Sequence, residues 1–420
     1  MIKFNSLLFV LLLIGCGAAV DDQITTDLAD TSYVQVDTVS VEKKMFCNDE
    51  VRVGAERIDA YINQLKGVNV AVVGNQSSMV GETHLVDTLL GAGVNIVKVF
   101  SPEHGFRGTA DAGEKVDSEV DSRTGLPIVS LYGSNKKPKA SQLKGVDVLL
   151  FDIQDVGVRF YTYISTLHYV MEAAAENSKK VIVLDRPNPN GHYVDGPVLK
   201  NGFTSFVGMH EIPVVHGMTV GEYAKMINGE GWLPGGAQCE LEVVACEGWD
   251  HSKFYELPVA PSPNLPNMTS VYLYPSLCFF EGTIVSVGRG TDYPFQIIGH
   301  PDYEVDLSLV AFSFTPMPNH GAKHPKLEGE LCYGVDLHEM DLRVFREEGK
   351  LDLSYLADFY SNLDRGKEFF LANNFINLLA GSDQLKNQLM AGDSFETIKA
   401  SWQEDLAAFK LVREKYLLYE

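Results

Sequence analysis

The chain has 420 residues, 45% of them apolar, enough to bury one large core or two moderate ones. Lys and Arg number 34 against 56 Asp and Glu, a formal charge of −22, which argues against a nucleic-acid partner because phosphate contacts require clustered positive charge. The acidic excess reads as a soluble surface.

Residues 1–16 read as a lipoprotein signal peptide. Lys3 gives a positive start and Leu7 to Ile14 an apolar core. Leu13-Ile14-Gly15-Cys16 is a small-residue cleavage site, the pattern in which Cys16 becomes the lipidated first residue. The apolar run is shorter than the ~20 residues that span a bilayer. The expectation is a membrane-anchored lipoprotein of the cell envelope, facing the periplasm and touching the membrane only through its lipid. Residues 17–45 have no sustained apolar period and read as a flexible tether. Cys47, Cys239, Cys246, Cys278 and Cys332 match neither a disulfide framework nor a CxxC metal site, and read mostly as small buried apolar residues.

Residues 46–262 read as one domain. Val51 to Leu65 has the pattern of a helix and Val68 to Gly74 that of a strand. A helix over Thr83 to Leu90 precedes a strand over Val94 to Phe100. Leu126 to Tyr132 is a short strand, and Gly145 to Ile153 the clearest buried one. Thr166 to Glu176 is helical, Lys180 to Leu184 a strand, Thr219 to Asn228 a helix and Cys239 to Ala245 a strand. This alternation predicts a doubly wound α/β domain with a mostly parallel sheet. Pro258 to Pro266, with four prolines in nine residues, suits a boundary. Residues 263–420 read as a second, smaller α+β domain that completes a cleft. Val271 to Phe280 and Thr283 to Val287 look strand-like, and residues 300–350 irregular or β. Helices dominate from Leu353 onward, Ser394 to Tyr416 most convincingly.

The expected strands end in polar clusters. After the first come Asn75 and Gln76; after the second, Glu103, His104 and Arg107. Asp152, Gln154 and Asp155 follow the Gly145–Ile153 strand, with Arg159, Tyr161 and Tyr163 just beyond. Asp185, Arg186, Asn188 and Asn190 follow the Lys180–Leu184 strand. Parallel topology brings such loops to one edge of a sheet, where open α/β folds bind ligands. Carboxylates, amides, Arg and Tyr with little Lys suit a polyhydroxylated ligand, because Asn, Gln, Asp and Arg form paired hydrogen bonds to hydroxyls or an acetamide. Phe160, Tyr161 and Tyr163 can stack on a sugar face.

Other chemistries fit less well. Gly74-Asn75-Gln76-Ser77-Ser78-Met79 lacks the G-x-G-x-x-G of dinucleotide binding, and Gly-x-Ser-x-Gly is absent. A metal-dependent hydrolase using Asp152, Asp155 and His104 is an alternative, though HExxH is missing and no other spacing is diagnostic. Glycoside hydrolysis needs two carboxyls flanking the scissile bond. Glu103, between proline and apolar residues that desolvate it, is the candidate general acid. Its partner is Asp152, Asp155, Asp185 or Glu281, with Arg289 on the same side as Glu281. Asn75, Gln76, His104, Arg107, Gln154, Asp155, Arg159, Tyr161, Tyr163, Arg186, Asn188 and Arg289 are the candidate substrate contacts.

Seven motifs then stand in register: Asn75-Gln76, Ser101-Pro102-Glu103-His104-Gly105, Phe151 to Gly157, Arg159-Phe160-Tyr161-Thr162-Tyr163, Asp185-Arg186-Pro187-Asn188-Pro189, His216-Gly217-Met218-Thr219 and Phe280-Glu281-Gly282-Thr283. Together they resemble the exo-β-N-acetylmuramidase family, NamZ-like glycoside hydrolases formerly grouped as a domain of unknown function. The resemblance runs from about Val51 to Tyr419. It implies a Rossmann-like first domain, a smaller second domain, and a cofactor-free site between them. It also implies release of N-acetylmuramic acid from non-reducing ends of peptidoglycan fragments, in cell-wall turnover. Glu103 matches the glutamate the family associates with catalysis. A non-catalytic muropeptide-binding lipoprotein is the alternative from another class.

Overall fold

A computed structural model describes residues 48–103, 105–107, 120–304 and 312–419. Cys16, the signal segment, the tether and Cys47 lie outside the described residues.

The apolar runs form one sheet of six strands: β1 (Val70–Gly74), β2 (Ile96–Ser101), β3 (Ile128–Ser130), β4 (Val148–Asp152), β5 (Lys180–Leu184) and β6 (Glu240–Val244). They lie in the order β3-β2-β1-β4-β5-β6, and every neighbouring pair is parallel. This is the order of the dinucleotide-binding α/β fold, with its switch point between β1 and β4. The central strands are apolar throughout because both faces are covered. Ala71, Val73, Leu149 and Phe151 enter one core, and Val70, Val72 and Leu150 the other, as the two-residue period of a strand requires. Helices α1 (Leu85–Gly91), α2 (Tyr163–Glu176) and α3 (Val220–Gly229) lie between strands. Thr219 and Glu222 cap α3 reciprocally.

The second part holds α4 (Met268–Leu277), a three-stranded antiparallel sheet of β7 (Ile297–His300), β8 (Phe312–Phe314) and β9 (Cys332–Asp336), and helices including α5 (Ser354–Leu363), α6 (Phe375–Ala380) and α7 (Gln403–Arg413). Both parts belong to one compact unit. The Arg159 guanidinium, fully buried, donates to the carbonyls of Pro197 and Ile212 and to that of Leu379 in α6. The Tyr419 hydroxyl returns to Asp185 at the end of β5, at 2.6 Å.

Four expectations are corrected. Val271 to Phe280 is not a strand: residues 268–277 are helical. Asn267 begins the helix by accepting the Ser270 N–H, and that cap outweighs the β-like composition. Pro275 lies inside α4 and has no N–H, which leaves the Val271 carbonyl without its helical donor; the Asn190 amide supplies one at 3.3 Å. Thr283 to Val287 is extended but makes only isolated bridges, Thr283 with Phe370 and Ser286 with Gly299. Val51 to Leu65 holds a single helical turn, Ile58–Tyr61, flanked by 3-10 turns, and the Ser394–Tyr416 helix breaks at Trp402, whose indole donates to Asp195. Cys239, Cys246, Cys278 and Cys332 are buried free thiols. No helix of the described residues is long and apolar enough to cross a membrane.

Candidate active site

β2 stops at Ser101 because Pro102 cannot donate to the ladder, and Gly105 turns the chain at a φ of 76°. That turn places Glu103, half-buried, at the carboxyl end of β2. Thr162, at the start of α2, donates to Glu103 Oε2 at 3.4 Å, and the Tyr132 hydroxyl beyond β3 also hydrogen-bonds to Glu103. The nearby charge of Glu103 helps hold the phenols of Tyr132, Tyr163 and Tyr274 protonated, after burial as the main cause. Glu103 therefore stands between Tyr132 and Thr162, beside the N-terminus of a fourteen-residue helix.

Glu281 enters from the other part. It sits in the 3-10 turn Cys278–Gly282 that follows α4, and Arg289 Nη1 donates to its Oε2 at 3.3 Å. Tyr274 feels the charges of both glutamates, and Tyr132 feels those of Glu103 and Arg289. Lys326 lies behind this turn, donating to the carbonyls of Phe280, Thr283 and Val285 at 2.8, 2.6 and 2.9 Å. Burial pushes its ammonium down to about 8, against the nearby charge of Glu281.

Most other candidates are engaged in holding the fold. Asp152 is buried and receives the Arg186 guanidinium through two bonds, 2.6 Å from Nε and 2.9 Å from Nη2. Neither is available to a substrate. Asp185 accepts from Arg186 N, Gly221 N, Thr219 and Tyr419, so it is a structural hub; burial pushes it up to about 6. Arg107 pairs with Asp121 at 2.8 Å and Asp87 at 3.4 Å. Arg159 meets backbone carbonyls only, and burial draws its guanidinium down to about 9. Asn188 donates to the Met218 carbonyl and accepts Asn190 N. His104 lies outside the described residues.

The crevice at the switch point is closed by the protein itself. Asn75 donates to the Tyr163 hydroxyl at 3.0 Å and accepts from Ser77. Gln154 donates to the carbonyls of Asp155 and Pro187. The proline-rich loop lies over both strands, because Gln76, Tyr161 and Tyr163 all donate to the Pro261 carbonyl. Asn75, Gln154, Tyr161 and Tyr163 are thus the buried floor of this crevice, and Gln76 keeps one amide oxygen, Oε1, without a partner. Asp155 is buried in the same floor, its Oδ1 accepting Gly157 N and its Oδ2 without a partner; burial pushes it up to about 7.

Sequence reasoning missed Tyr132, Thr162, Tyr274 and Lys326. Tyr132 follows a short strand at the same sheet edge, and that position was its signal. Tyr274 was hidden by the strand-like reading of α4, and nothing local marks Lys326. Among the described residues, no group of three His, Cys, Asp or Glu side chains is arranged to hold a metal ion.

Glu103 and Glu281 are half-buried carboxylates contributed by the two parts of the chain, and glycoside hydrolysis calls for two carboxyls. Comparison with known proteins gives the family. The chain belongs to the exo-β-N-acetylmuramidase NamZ family: the N-terminal family model matches residues 70–269 and the C-terminal model residues 272–419. It is 40% identical over 381 residues to the peptidoglycan β-N-acetylmuramidase NamZ of Bacillus subtilis (strain 168), covering 86% of this chain and 89% of that protein. Two solved DUF1343 family proteins of Bacteroides fragilis NCTC 9343 share its fold. One superposes with a TM-score of 0.81 at 46% identity, the other with 0.77 at 31%, each match covering 88% of this chain and 99% of the neighbour.

Proposed function

We propose that this protein is an exo-acting β-N-acetylmuramidase that releases N-acetylmuramic acid from the non-reducing ends of peptidoglycan fragments. Family membership and the B. subtilis relative support the activity. The observation that carries the assignment of residues is that, of the candidate carboxylates, Glu103 and Glu281 are half-buried and reachable, whereas Asp152, Asp155 and Asp185 are buried within the fold. Glu103 acts as general acid, giving its proton to the glycosidic oxygen as the bond breaks. Glu281 is the second carboxylate and stabilises positive charge developing on the sugar ring or directs water to it. Tyr132 and Thr162 orient Glu103, Arg289 pairs with Glu281, and Lys326 holds the backbone turn that carries Glu281.

Muramic acid carries a lactyl carboxylate, and Arg289, part-exposed and joined to Glu281 by a single contact at 3.3 Å, is the candidate arginine suited to meet it beside that glutamate. Arg107 and Arg186 are paired with buried or part-buried aspartates, and Arg159 is enclosed by carbonyls. A guanidinium gripping a carboxylate gives the charge-assisted contact that separates a muramide from a glucosaminide. The test is hydrolysis of a chromogenic β-N-acetylmuramide beside its N-acetylglucosaminide counterpart. Cleavage of the muramide alone is expected, and cleavage of neither by folded protein refutes the reading.

We further propose that Cys16 is lipidated, anchoring the enzyme at the periplasmic face of the cell envelope where wall fragments arise. Leu13-Ile14-Gly15-Cys16 supports this. Partition of the mature protein into a detergent phase, abolished by Cys16→Ser, is the expected result; a soluble wild type refutes it.

A further inference from the structure

The two segments that reach Glu103 run on beyond it and meet again at Phe206. Thr162 begins α2, and an α-helix turns about 100° and rises about 1.5 Å per residue. Tyr169 therefore lies on nearly the same face as Thr162, about 10 Å further along the axis. Tyr169 stacks on Phe206, with ring centres 6.2 Å apart and planes 18° from parallel. Between them, the Ser165 hydroxyl donates to the Phe206 carbonyl at 2.8 Å. The other segment starts at Tyr132, which hydrogen-bonds to Glu103, and continues to Lys136, whose ammonium sits 4.1 Å from the centre of the Phe206 ring. Ser205 and Gly208 exchange backbone hydrogen bonds at 2.8 and 3.1 Å, a tight turn that fixes Phe206 in place.

Glu103, Tyr132, Thr162, Tyr169, Phe206 and Lys136 are all half-buried, so a strip of accessible surface leads from the carboxylate to the ammonium. The charges along it are unevenly matched. Lys137 pairs with Glu172 at 2.8 Å and with Glu176 at 2.7 Å, one and two turns past Tyr169 on α2. Lys136 has no ion-pair partner among the described residues, on a chain of net charge −22. The ring attracts the ammonium and restrains a long, flexible side chain, which lowers the ordering cost of gripping a ligand. A ring face is a weak substitute for a carboxylate, which would accept the three N–H donors directly.

We propose that Lys136, seated on Phe206 beside Tyr169, is a leaving-side subsite that binds a carboxylate of the fragment departing when the muramyl bond breaks. The proposal rests on the muramidase reading and extends it from the sugar removed to the saccharide left behind. Arg289 answers the carboxylate of the removed sugar, on the Glu281 side. The glycan alternates, so the departing piece begins with an uncharged N-acetylglucosamine and continues with a second muramic acid. Its lactyl carboxylate thus stands one sugar beyond the scissile bond. The strip along α2 spans that interval: the neutral sugar lies against the Thr162 face and the edge of Tyr169, and the carboxylate meets the Lys136 ammonium. A stem peptide turns that carboxylate into an amide, so the subsite favours fragments whose second muramic acid is bare.

The test titrates the leaving disaccharide, N-acetylglucosaminyl-N-acetylmuramic acid, and its neutral lactyl methylamide into the full chain by calorimetry, for wild type, Lys136→Met and Lys136→Arg. Wild type is expected to bind the acid about tenfold more tightly than the methylamide, by a margin that shrinks as salt rises. Lys136→Met binds the two alike, and Lys136→Arg, which keeps the charge, regains part of the margin. In hydrolysis, a substrate ending in the second muramic acid shows a KM about tenfold below that of muramyl-N-acetylglucosamine in wild type, and Lys136→Met closes that gap. Equal affinity of wild type for acid and methylamide, or a margin that survives in Lys136→Met, overturns the proposal. Failure of the muramidase reading shows separately, as a wild type that cleaves neither saccharide, and the calorimetric comparison still reads Lys136 directly.

Discussion

Asp155→Asn is expected to stabilise the protein, and only above mildly acidic pH. Asp155 is buried near Tyr161 and Tyr163, with Oδ2 unpartnered, and burial raises its pKa from 3.8 to about 7. A carboxyl whose pKa is raised in the folded state keeps its proton there after the unfolded chain has lost it. Stability therefore falls as pH rises from about 4 to 7, and the full cost persists above. The rise of roughly three units corresponds to up to about 4 kcal/mol at 1.36 kcal/mol per unit. Asparagine keeps the oxygen that accepts Gly157 N and removes the titration. Asp185 is also raised by burial, to about 6, but it is present in both proteins and cancels in the difference. Urea unfolding of both proteins between about pH 4 and 8 should give curves that coincide at the acid end and diverge through pH 7. A pH-independent difference, or a variant less stable than wild type at the alkaline end, refutes the reasoning.

Two further substitutions separate structural from catalytic roles. Asp152→Ala leaves the Arg186 guanidinium buried without its partner and should cost about 3–5 kcal/mol in urea unfolding; a stable but inactive variant would restore Asp152 to the chemistry. Lys326→Met removes three hydrogen bonds that shape the Glu281 turn, and a displaced carboxylate should lower kcat about 10²-fold with a smaller change in KM. Unchanged kcat removes Lys326 from the positioning of Glu281.

The sheet was legible because its central strands are continuous apolar runs punctuated by Gly, Pro and Asn loops, the mark of parallel strands covered on both faces. Lys180–Leu184 matches β5 residue for residue. α4 was not legible: Val271, Tyr272 and Tyr274 favour strands by composition, and the capping by Asn267 decides otherwise. The site was legible in part. Glu103 was marked by Pro102 and Gly105, which end a strand at the edge where α/β sheets bind ligands. Asp152, Asp185, Arg107, Arg159 and Arg186 looked alike in sequence, because spacing does not tell a carboxylate meeting solvent from one meeting a buried guanidinium. Only partners distant in the chain, such as Tyr419 for Asp185 and Leu379 for Arg159, make that distinction. Lys326 approaches the Glu281 turn from more than forty residues away, and no local pattern announces it.

The central claim is that Glu103 supplies the proton that breaks the muramyl bond. Steady-state hydrolysis of a chromogenic β-N-acetylmuramide by wild type and Glu103→Gln tests it most directly, with thermal unfolding to show that both are folded. The account predicts kcat lower by about 10²–10⁴-fold in the variant, the usual contribution of a general acid. A folded Glu103→Gln with wild-type kcat would contradict it.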